Sequence, residues 1–248
     1  MLGLANGGLK SKSYDNTWDF DASDLTNTKS AVCKLWLKHN TGLTGGDGNP
    51  CSQWDDSSGQ DNHAVQSESA KRPTIDGGGL EFTAGNSDHM TLTSTITVSA
   101  EEGFAIFTVL DIDSFGAVQG IFSQNNNIFI VLNDADTLRV KSSDNNVMNF
   151  TPALTADTKL ILTIRRESGS LGQFHIYING EKVHITNAAL NSQRNTQSYV
   201  LDELGSRNGT SNFFGGHIYE VLLYETGDLQ EKEVTGICNY LKTIHSIT

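Results

Sequence analysis

Acidic side chains crowd several polar segments of this 248-residue sequence, and carboxylate oxygens are the groups that bind calcium in proteins. One segment holds Asp55, Asp56 and Asp61, and the other pairs are Asp111 with Asp113 and Asp134 with Asp136. A calcium site needs six or more converging oxygens, and no EF-hand spacing is present. We therefore expect solvated turn carboxylates and no cofactor. Calcium is the alternative, with Asp55, Asp56 and Asp61 as its candidate ligands.

No residue pattern typical of catalysis is present. The sequence lacks a Gly-x-Ser-x-Gly nucleophile elbow, His-x-x-x-His and Cys-x-x-Cys metal spacings and a glycine-rich phosphate loop. Hydrolysis of a glycosidic bond uses two carboxylates that flank the bond. Glu220 lies in a segment typical of a strand, but no second carboxylate stands at strand spacing from it. We predict that the protein has no catalytic residues and is not an enzyme.

Sugar binding needs fewer specialised residues than catalysis, namely an exposed aromatic platform with polar groups around it. Tyr14, Trp18 and Tyr199 are the candidate platforms. Buried or arm-packed aromatic side chains are the commoner case, and the sequence does not distinguish the two.

The charge balance and the cysteines limit the partners and the compartment. Seventeen Lys and Arg against 29 Asp and Glu leave a formal net charge of −12, which repels nucleic acid. No apolar stretch is long enough to cross a membrane, and residues 1–14 lack the apolar core of a signal peptide. Three cysteines are an odd number, so we expect free thiols in a reducing cytoplasm, with a Cys33–Cys51 bond as the alternative.

The elements that would position these groups are short strands. Runs rich in β-branched and aromatic residues occur at 32–37, 80–82, 90–92, 104–112, 120–123, 128–132, 138–141, 160–164 and 217–224. A further run, 174–185, contains Asn179-Gly180, the favoured pair for a two-residue hairpin turn. So many short strands with turns between them predict an all-β, two-sheet antiparallel sandwich.

One helix is predicted at the C-terminal end. Asp228 can cap it, with Glu231 three residues later. Its apolar stripe, which we expect to pack on the sandwich, consists of Val234, Ile237, Cys238, Leu241 and Ile244.

Residues 1–30 differ from the rest because they show neither strand nor helix periodicity. We predict that they form an extended arm and that residues 31–248 form one domain. The arm's separated apolar residues would anchor it to a neighbouring subunit, and they are Leu2, Leu4, Leu9, Trp18 and Phe20. A partly disordered terminus is the alternative.

Three segments in order resemble the laminin G-like, concanavalin A-like domains found in many phage and bacterial surface proteins. They are residues 53–64, which are similar to that family's Gln-Trp-x-Asp-x-Ser-Gly-x-x-Asn-x-Ala turn, residues 204–224, and the closing helix that ends in Asn239-Tyr240-Leu241. The resemblance implies a jelly-roll sandwich, and it implies a structural role for the turn residues Trp54, Asp56, Ser58, Gly59 and Asn62. The Glu-x-Asp-x-x-Glu strand of glycosidases with this fold is absent.

The resemblance and the missing signal peptide favour a virion structural protein of a bacteriophage: a head decoration, a fibre or a tail-associated subunit. Such a protein is made in the host cytoplasm and ends in the virion. Its expected partners are other virion proteins and copies of itself in a homo-oligomer, with cell-surface glycans as a further partner. The alternative is a carbohydrate-binding module of a bacterial surface or secreted protein.

Overall fold

The computed structural model describes residues 31–124, 128–135, 137–143, 146–170, 172–183, 197–226 and 229–248. The predicted arm at 1–30, with its five apolar anchors, lies outside the described residues, as do Asp136 and Asp228. Within the described part, two eight-stranded antiparallel sheets and one C-terminal helix are present, which confirms the predicted sandwich.

The first sheet is built around a long central strand near the C-terminus. Its strands are, in spatial order, β14 (Glu181–Val183), β13 (Phe174–Ile178), β12 (Leu160–Arg166), β7 (Phe104–Leu110), β16 (Gly216–Glu225), β5 (Gly79–Phe82) and β4 (Thr74–Asp76), with β1 (Val32–Leu37) also paired to β16. The Asn179-Gly180 turn between β13 and β14 has positive φ at both residues, 51° and 83°, as the hairpin prediction required.

The second sheet faces the first and contains the shorter edge strands. In spatial order it consists of β11 (Asn146–Phe150), β10 (Thr137–Ser143), β9 (Phe129–Asp134), β8 (Gln119–Ser123), β15 (Tyr199–Leu204), β6 (Met90–Val98), β3 (Ala64–Val65) and β2 (Gln53–Trp54). Every neighbouring pair is antiparallel.

Two separate cores explain why β7 and β12 are apolar on both faces. Ile106, Leu110 and Ile164 point into the core between the sheets. Phe107 and Ile161 point the other way, into a second core beneath the helix. A strand covered on both sides reads as a continuous hydrophobic run rather than as an alternating one.

The helix α1 (Glu231–His245) closes the outer side of the first sheet. Its N-cap is Gln230, which forms a capping box with Glu233, so the expectation that Asp228 caps the helix was wrong. The Gln230 side chain accepts from the backbone N–H of Glu233, and the Glu233 side chain accepts from the backbone N–H of Gln230, so two free N–H groups at the start of the helix are satisfied. No helix in the described part of the chain is long and apolar enough to span a bilayer.

One residue of the predicted apolar stripe is misplaced. Val234, Ile237, Cys238 and Leu241 are buried, but Ile244 is 46% exposed and His245 is buried instead. At about 100° per residue, position 245 lies roughly 20° from Val234 around the helix axis, whereas position 244 lies about 80° away. His245, rather than Ile244, therefore packs against the first sheet.

Candidate functional site

The outer face of the second sheet carries side chains that the strand register aligns in one row. The row runs from β10 to β2 through Lys141, Phe129, Ser123, Glu203, Thr91, Val65 and Gln53. Directly paired residues point to the same side of a sheet. Their chain neighbours Val140, Ile130 and Met90 lie in the core between the sheets, so the row lies on the opposite side of the sheet, where Ser123 and Phe129 are themselves buried. We call these seven residues the outer row.

A polar cavity of about 410 Å³ lies at the β2 end of the outer row. All of its lining residues except Val65 have polar side chains, and they are Thr44, Ser52, Gln53, Val65, Gln66, Ser67, Arg72 and Thr91. The Arg72 guanidinium is held by the carbonyl oxygens of Gln66 and Ser67, at 2.8 and 3.0 Å. Hydroxyl, amide and guanidinium groups together can both donate to and accept from a polyhydroxylated ligand.

Glu203 supports this cavity from the centre of the outer row. Its Oε1 accepts a hydrogen bond from the Thr91 hydroxyl at 3.1 Å. The Thr91 hydroxyl proton is used in this hydrogen bond, so the lone pairs of the hydroxyl oxygen can accept a hydrogen bond from a ligand. The other carboxylate oxygen, Oε2, is buried without a partner among the described residues. Burial raises the pKa of Glu203 to about 7; the Thr91 hydrogen bond lowers it in part, and the charge of Asp202 raises it further.

We expect Glu203→Gln to change how stability depends on pH. The folded protein holds this proton up to about pH 7, whereas a carboxyl with the ordinary value of 4.5 releases it earlier in the unfolded chain. The wild type should therefore lose stability as pH rises from about 4.5 to 7, and the variant should lack that loss. Urea unfolding at pH 4 and pH 8 measures it, with Glu181→Gln as the exposed control. Parallel pH profiles for wild type and Glu203→Gln would contradict the assignment.

The turn that carries the family resemblance is a structural unit in the described geometry. Both oxygens of Asp56 accept two hydrogen bonds each, from Trp36 N and Ser58 N at 2.8 and 2.9 Å, and from Ser58 Oγ and Asn62 N at 2.7 and 3.0 Å. Asn62 also ties the turn to the carbonyl of Lys34, and Gly59 takes a φ of 82°. The predicted bonding of Asp56 and Ser58 within their own turn is present.

The carboxylates proposed for calcium are not gathered in the 55–61 segment. Asp56 is fully used by its turn, Asp55 accepts from Gln53 Nε2, and Asp61 is exposed. Within the described ranges, the three side chains whose metal-ligating atoms lie within 4.8 Å of one another are Asp111, Asp113 and His217. There His217 Nδ1 lies 2.8 Å from Asp111 Oδ1, and that hydrogen bond raises the pKa of His217.

Glu220 has partners that the sequence did not reveal. It is 1% exposed; its Oε1 accepts from Trp36 Nε1 at 2.7 Å, and its Oε2 lies 2.8 Å from His245 Nε2. A β-bulge between Ile218 and Glu220 turns this carboxylate toward the helix side of the sheet. The partners stand 184 and 25 residues away in sequence, so no local motif could have indicated them.

Of the three candidate platforms, Tyr199 is buried, which is the commoner case for an aromatic residue. Tyr199 is 1% exposed and stacks on Phe104 with ring centroids 4.6 Å apart. Its strand, β15, directs it into the core between the sheets. The other two candidates, Tyr14 and Trp18, lie outside the described residues. The sequence also missed Glu203 and Thr91; the adjacent carboxylates Asp202 and Glu203 inside an apolar segment were the available signal.

Known structures share this fold at low sequence identity. The binding domain of Paraclostridial Mosquitocidal Protein 1 superposes with a TM-score of 0.58 at 17% identity, over 85% of this chain and 52% of that chain. Trypanosoma rangeli sialidase superposes with a TM-score of 0.57 at 12% identity, over 86% of this chain and 33% of that chain. The chain thus spans about half of the first and a third of the second. No curated protein sequence matches it.

A family model provides stronger evidence than these superpositions. It describes the concanavalin A-like lectin/glucanases superfamily in its laminin G type, and it matches residues 83–235. The match covers most of the two sheets and the beginning of α1. By this match and by its two-sheet antiparallel architecture, the chain belongs to the laminin G-like domains of the concanavalin A-like lectin/glucanases superfamily.

Proposed function

We propose that this domain is a non-enzymatic carbohydrate-binding module and that it binds glycans on the outer face of the second sheet. The observation that carries the proposal is the polar cavity at the end of the outer row, where Gln53, Thr91 and Arg72 converge. Sugar hydroxyls both donate and accept hydrogen bonds, and this wall offers both kinds of partner. A structure of Trypanosoma rangeli sialidase with this fold is in complex with sialic acid, which supports a sugar ligand.

The lack of enzymatic activity is supported by the state of the candidate carboxylates. Glu220 is enclosed by Trp36 and His245 and has no open side toward a substrate. Glu203 offers one oxygen to Thr91 and buries the other. A glycosidase needs two carboxyl groups about 5–9.5 Å apart, on either side of an accessible bond.

We expect purified protein to bind oligosaccharides without cleaving them. A glycan array followed by calorimetry measures binding, and reducing-sugar release measures hydrolysis. Thr91→Val should weaken binding at least tenfold, because it removes the hydroxyl at the junction of the cavity and Glu203. Thr97→Val, at an exposed position further along β6, is the matched control. Absence of binding across the array would overturn the proposal, as would sugar release that disappears in Glu220→Gln.

The finer proposal is that a bacteriophage virion displays this module as a head decoration, fibre or tail-associated subunit. Supporting it, Cys33, Cys51 and Cys238 are all buried free thiols, as suits a chain made in a reducing cytoplasm. Burial raises the pKa of Cys33 to about 12, with a further contribution from the charge of Asp56, so this thiol is inert at neutral pH. A module of a bacterial surface or secreted protein is the rival.

The virion proposal predicts that residues 1–30 act in assembly. Deleting residues 2–27 should leave the melting temperature nearly unchanged and should abolish incorporation into particles, because the apolar anchors would contact a neighbouring subunit. Thermal melts and gel analysis of purified virions measure the two effects. Unfolding of the truncated protein would place the segment within the sandwich, and normal incorporation would remove its assembly role.

A further inference from the structure

Glu203 is a half-buried carboxyl group directly behind the wall of the polar cavity. The Thr91 side chain lines the cavity and donates its hydroxyl proton to Glu203 Oε1 at 3.1 Å. Glu203 Oε2 is shielded from solvent and has no hydrogen-bond partner among the described residues. An ionised carboxylate with an unpaired oxygen away from water is costly, and protonation removes its charge. The proton on Glu203 therefore depends on how much water remains around Thr91.

The turn at 207–211 packs against the same carboxyl group. A Cβ atom at Gly209 would lie 3.5 Å from Glu203 Oε1 and 3.4 Å from His89 Nε2, so the main chain of the turn lies close to both groups. Protein atoms thus replace part of the water around Glu203 before any ligand binds.

No basic group of the described residues forms an ion pair with Glu203. Its neighbour on β15, Asp202, is acidic and accepts a hydrogen bond from Thr95 at 3.4 Å. Ser123, which is paired with it on β8, has no charge. The guanidinium of Arg207, in the turn, packs on the Phe129 ring at 4.4 Å. Protonation is therefore the way in which this carboxyl group loses its charge.

The titratable group nearest to Glu203 on the β6 side is His89, and its hydrogen bonds are those of a neutral ring. Nδ1 donates to the Ser87 carbonyl at 2.9 Å, and Nε2 accepts from the Gln66 amide nitrogen at 3.2 Å. The basic group that lines the cavity is Arg72, which donates to two main-chain carbonyls. Neither group supplies a counter-charge in contact with Glu203.

We infer that glycan binding at the polar cavity is controlled by pH through Glu203 and takes up a proton. This inference rests on the proposed glycan-binding function and adds the regulation of that site. A glycan against Thr91 displaces water from the cavity, which makes an ionised Glu203 more costly and has little effect on the protonated form. Proton binding and glycan binding then favour each other, because the coupling between two sites is reciprocal.

The change in affinity lies near neutral pH. Burial raises the pKa of Glu203 to about 7, and the charge of Asp202 adds to this, while the Thr91 hydrogen bond opposes it. Below this pH the carboxyl group is protonated and affinity is high; above it the group ionises and affinity falls. Protonated Glu203 can also donate to Thr91 Oγ1, which frees the Thr91 proton for a glycan oxygen.

Calorimetry with cellohexaose, chitohexaose and an oligogalacturonate tests the inference, since none of these probes titrates between about pH 6 and pH 8.5. We expect binding to be about tenfold weaker at pH 8.5 than at pH 6. Titrations near pH 7 in two buffers of different ionisation enthalpy should show net proton uptake. The glycan array, read at both pH values, applies the same comparison to glycans outside the three probes.

Two substitutions assign the pH dependence to Glu203. Glu203→Gln should bind at both pH values as the wild type does at pH 6, because the amide carries no charge. Asp202→Asn should move the midpoint of the pH profile to lower pH, since the Asp202 charge raises the pKa of Glu203. The control Glu181→Gln removes an exposed carboxyl group from β14 in the first sheet and should keep the wild-type profile. Melting temperatures at both pH values verify folding.

Equal affinity at pH 6 and pH 8.5, or binding of the wild type without proton uptake, would overturn the inference and leave the glycan-binding function standing. A pH dependence that survives in Glu203→Gln would also overturn it, because another group, such as His89, would then titrate. If Glu203→Gln does not fold, proton uptake by the wild type and the midpoint of Asp202→Asn decide. Failure of all three probes, together with an array without hits at both pH values, would instead reject the glycan-binding function itself.

Discussion

Replacing Trp54 with alanine is expected to lower the free energy of unfolding by about 3–5 kcal/mol, the range for loss of a core aromatic. The Trp54 side chain is fully buried among the residues of the core between the sheets. Its indole N–H donates to two carbonyl oxygens, those of Lys38 and Thr41, at 3.2 and 3.1 Å. The variant therefore leaves a cavity and removes the donor that holds the segment after β1 against β2.

Urea titration at neutral pH measures this loss as a change in the free energy of unfolding. Val118→Ala is the control, because Val118 is 37% exposed and its truncation should change stability by about 0.5 kcal/mol or less. A loss below about 1 kcal/mol for Trp54→Ala would mean that the indole does not hold the turn in solution.

Glu220→Ala is expected to cost a similar amount, about 3–5 kcal/mol, because it removes one member of a buried polar network. The Trp36 N–H would lose its acceptor in a buried site, and His245 would lose the group that faces its Nε2. Both side chains of the Glu220–His245 pair are at most 1% exposed, so solvent cannot replace the lost contacts. The end of α1 should then detach before the sheets unfold.

Glu220→Gln separates the loss of hydrogen bonds from the loss of charge. Glutamine keeps an acceptor for Trp36 and places an amide group, which can donate or accept, opposite His245. We expect it to lose less than roughly half as much stability as the alanine variant. Hydrogen exchange of the amides in 241–245 reports detachment of the helix end directly. Equal losses for the two variants would show that the charge of the carboxylate, rather than its hydrogen bonds, holds the helix.

The elements that were predicted correctly are those whose signal is local. The Asn179-Gly180 hairpin follows from a dipeptide preference, and the buried strand β7 follows from a continuous apolar run. The strands β11 and β15 were missed because polar and charged residues interrupt their apolar pattern: Asn149 in one, and Asp202 and Glu203 in the other. Those interruptions are the side chains that face outward.

The sequence by itself determined the class of fold, because alternating apolar residues and turn dipeptides are short-range features. It also indicated the turn around Asp56, whose partners Ser58 and Asn62 lie within six residues. Only the tertiary structure decided which polar groups share a site. The outer row draws its seven residues from seven different strands, and the register of each pair, set by turns and bulges, aligns Glu203 with Thr91 across 112 residues of sequence. Neither periodicity nor composition encodes that register, because pairing between distant strands depends on how the two sheets pack.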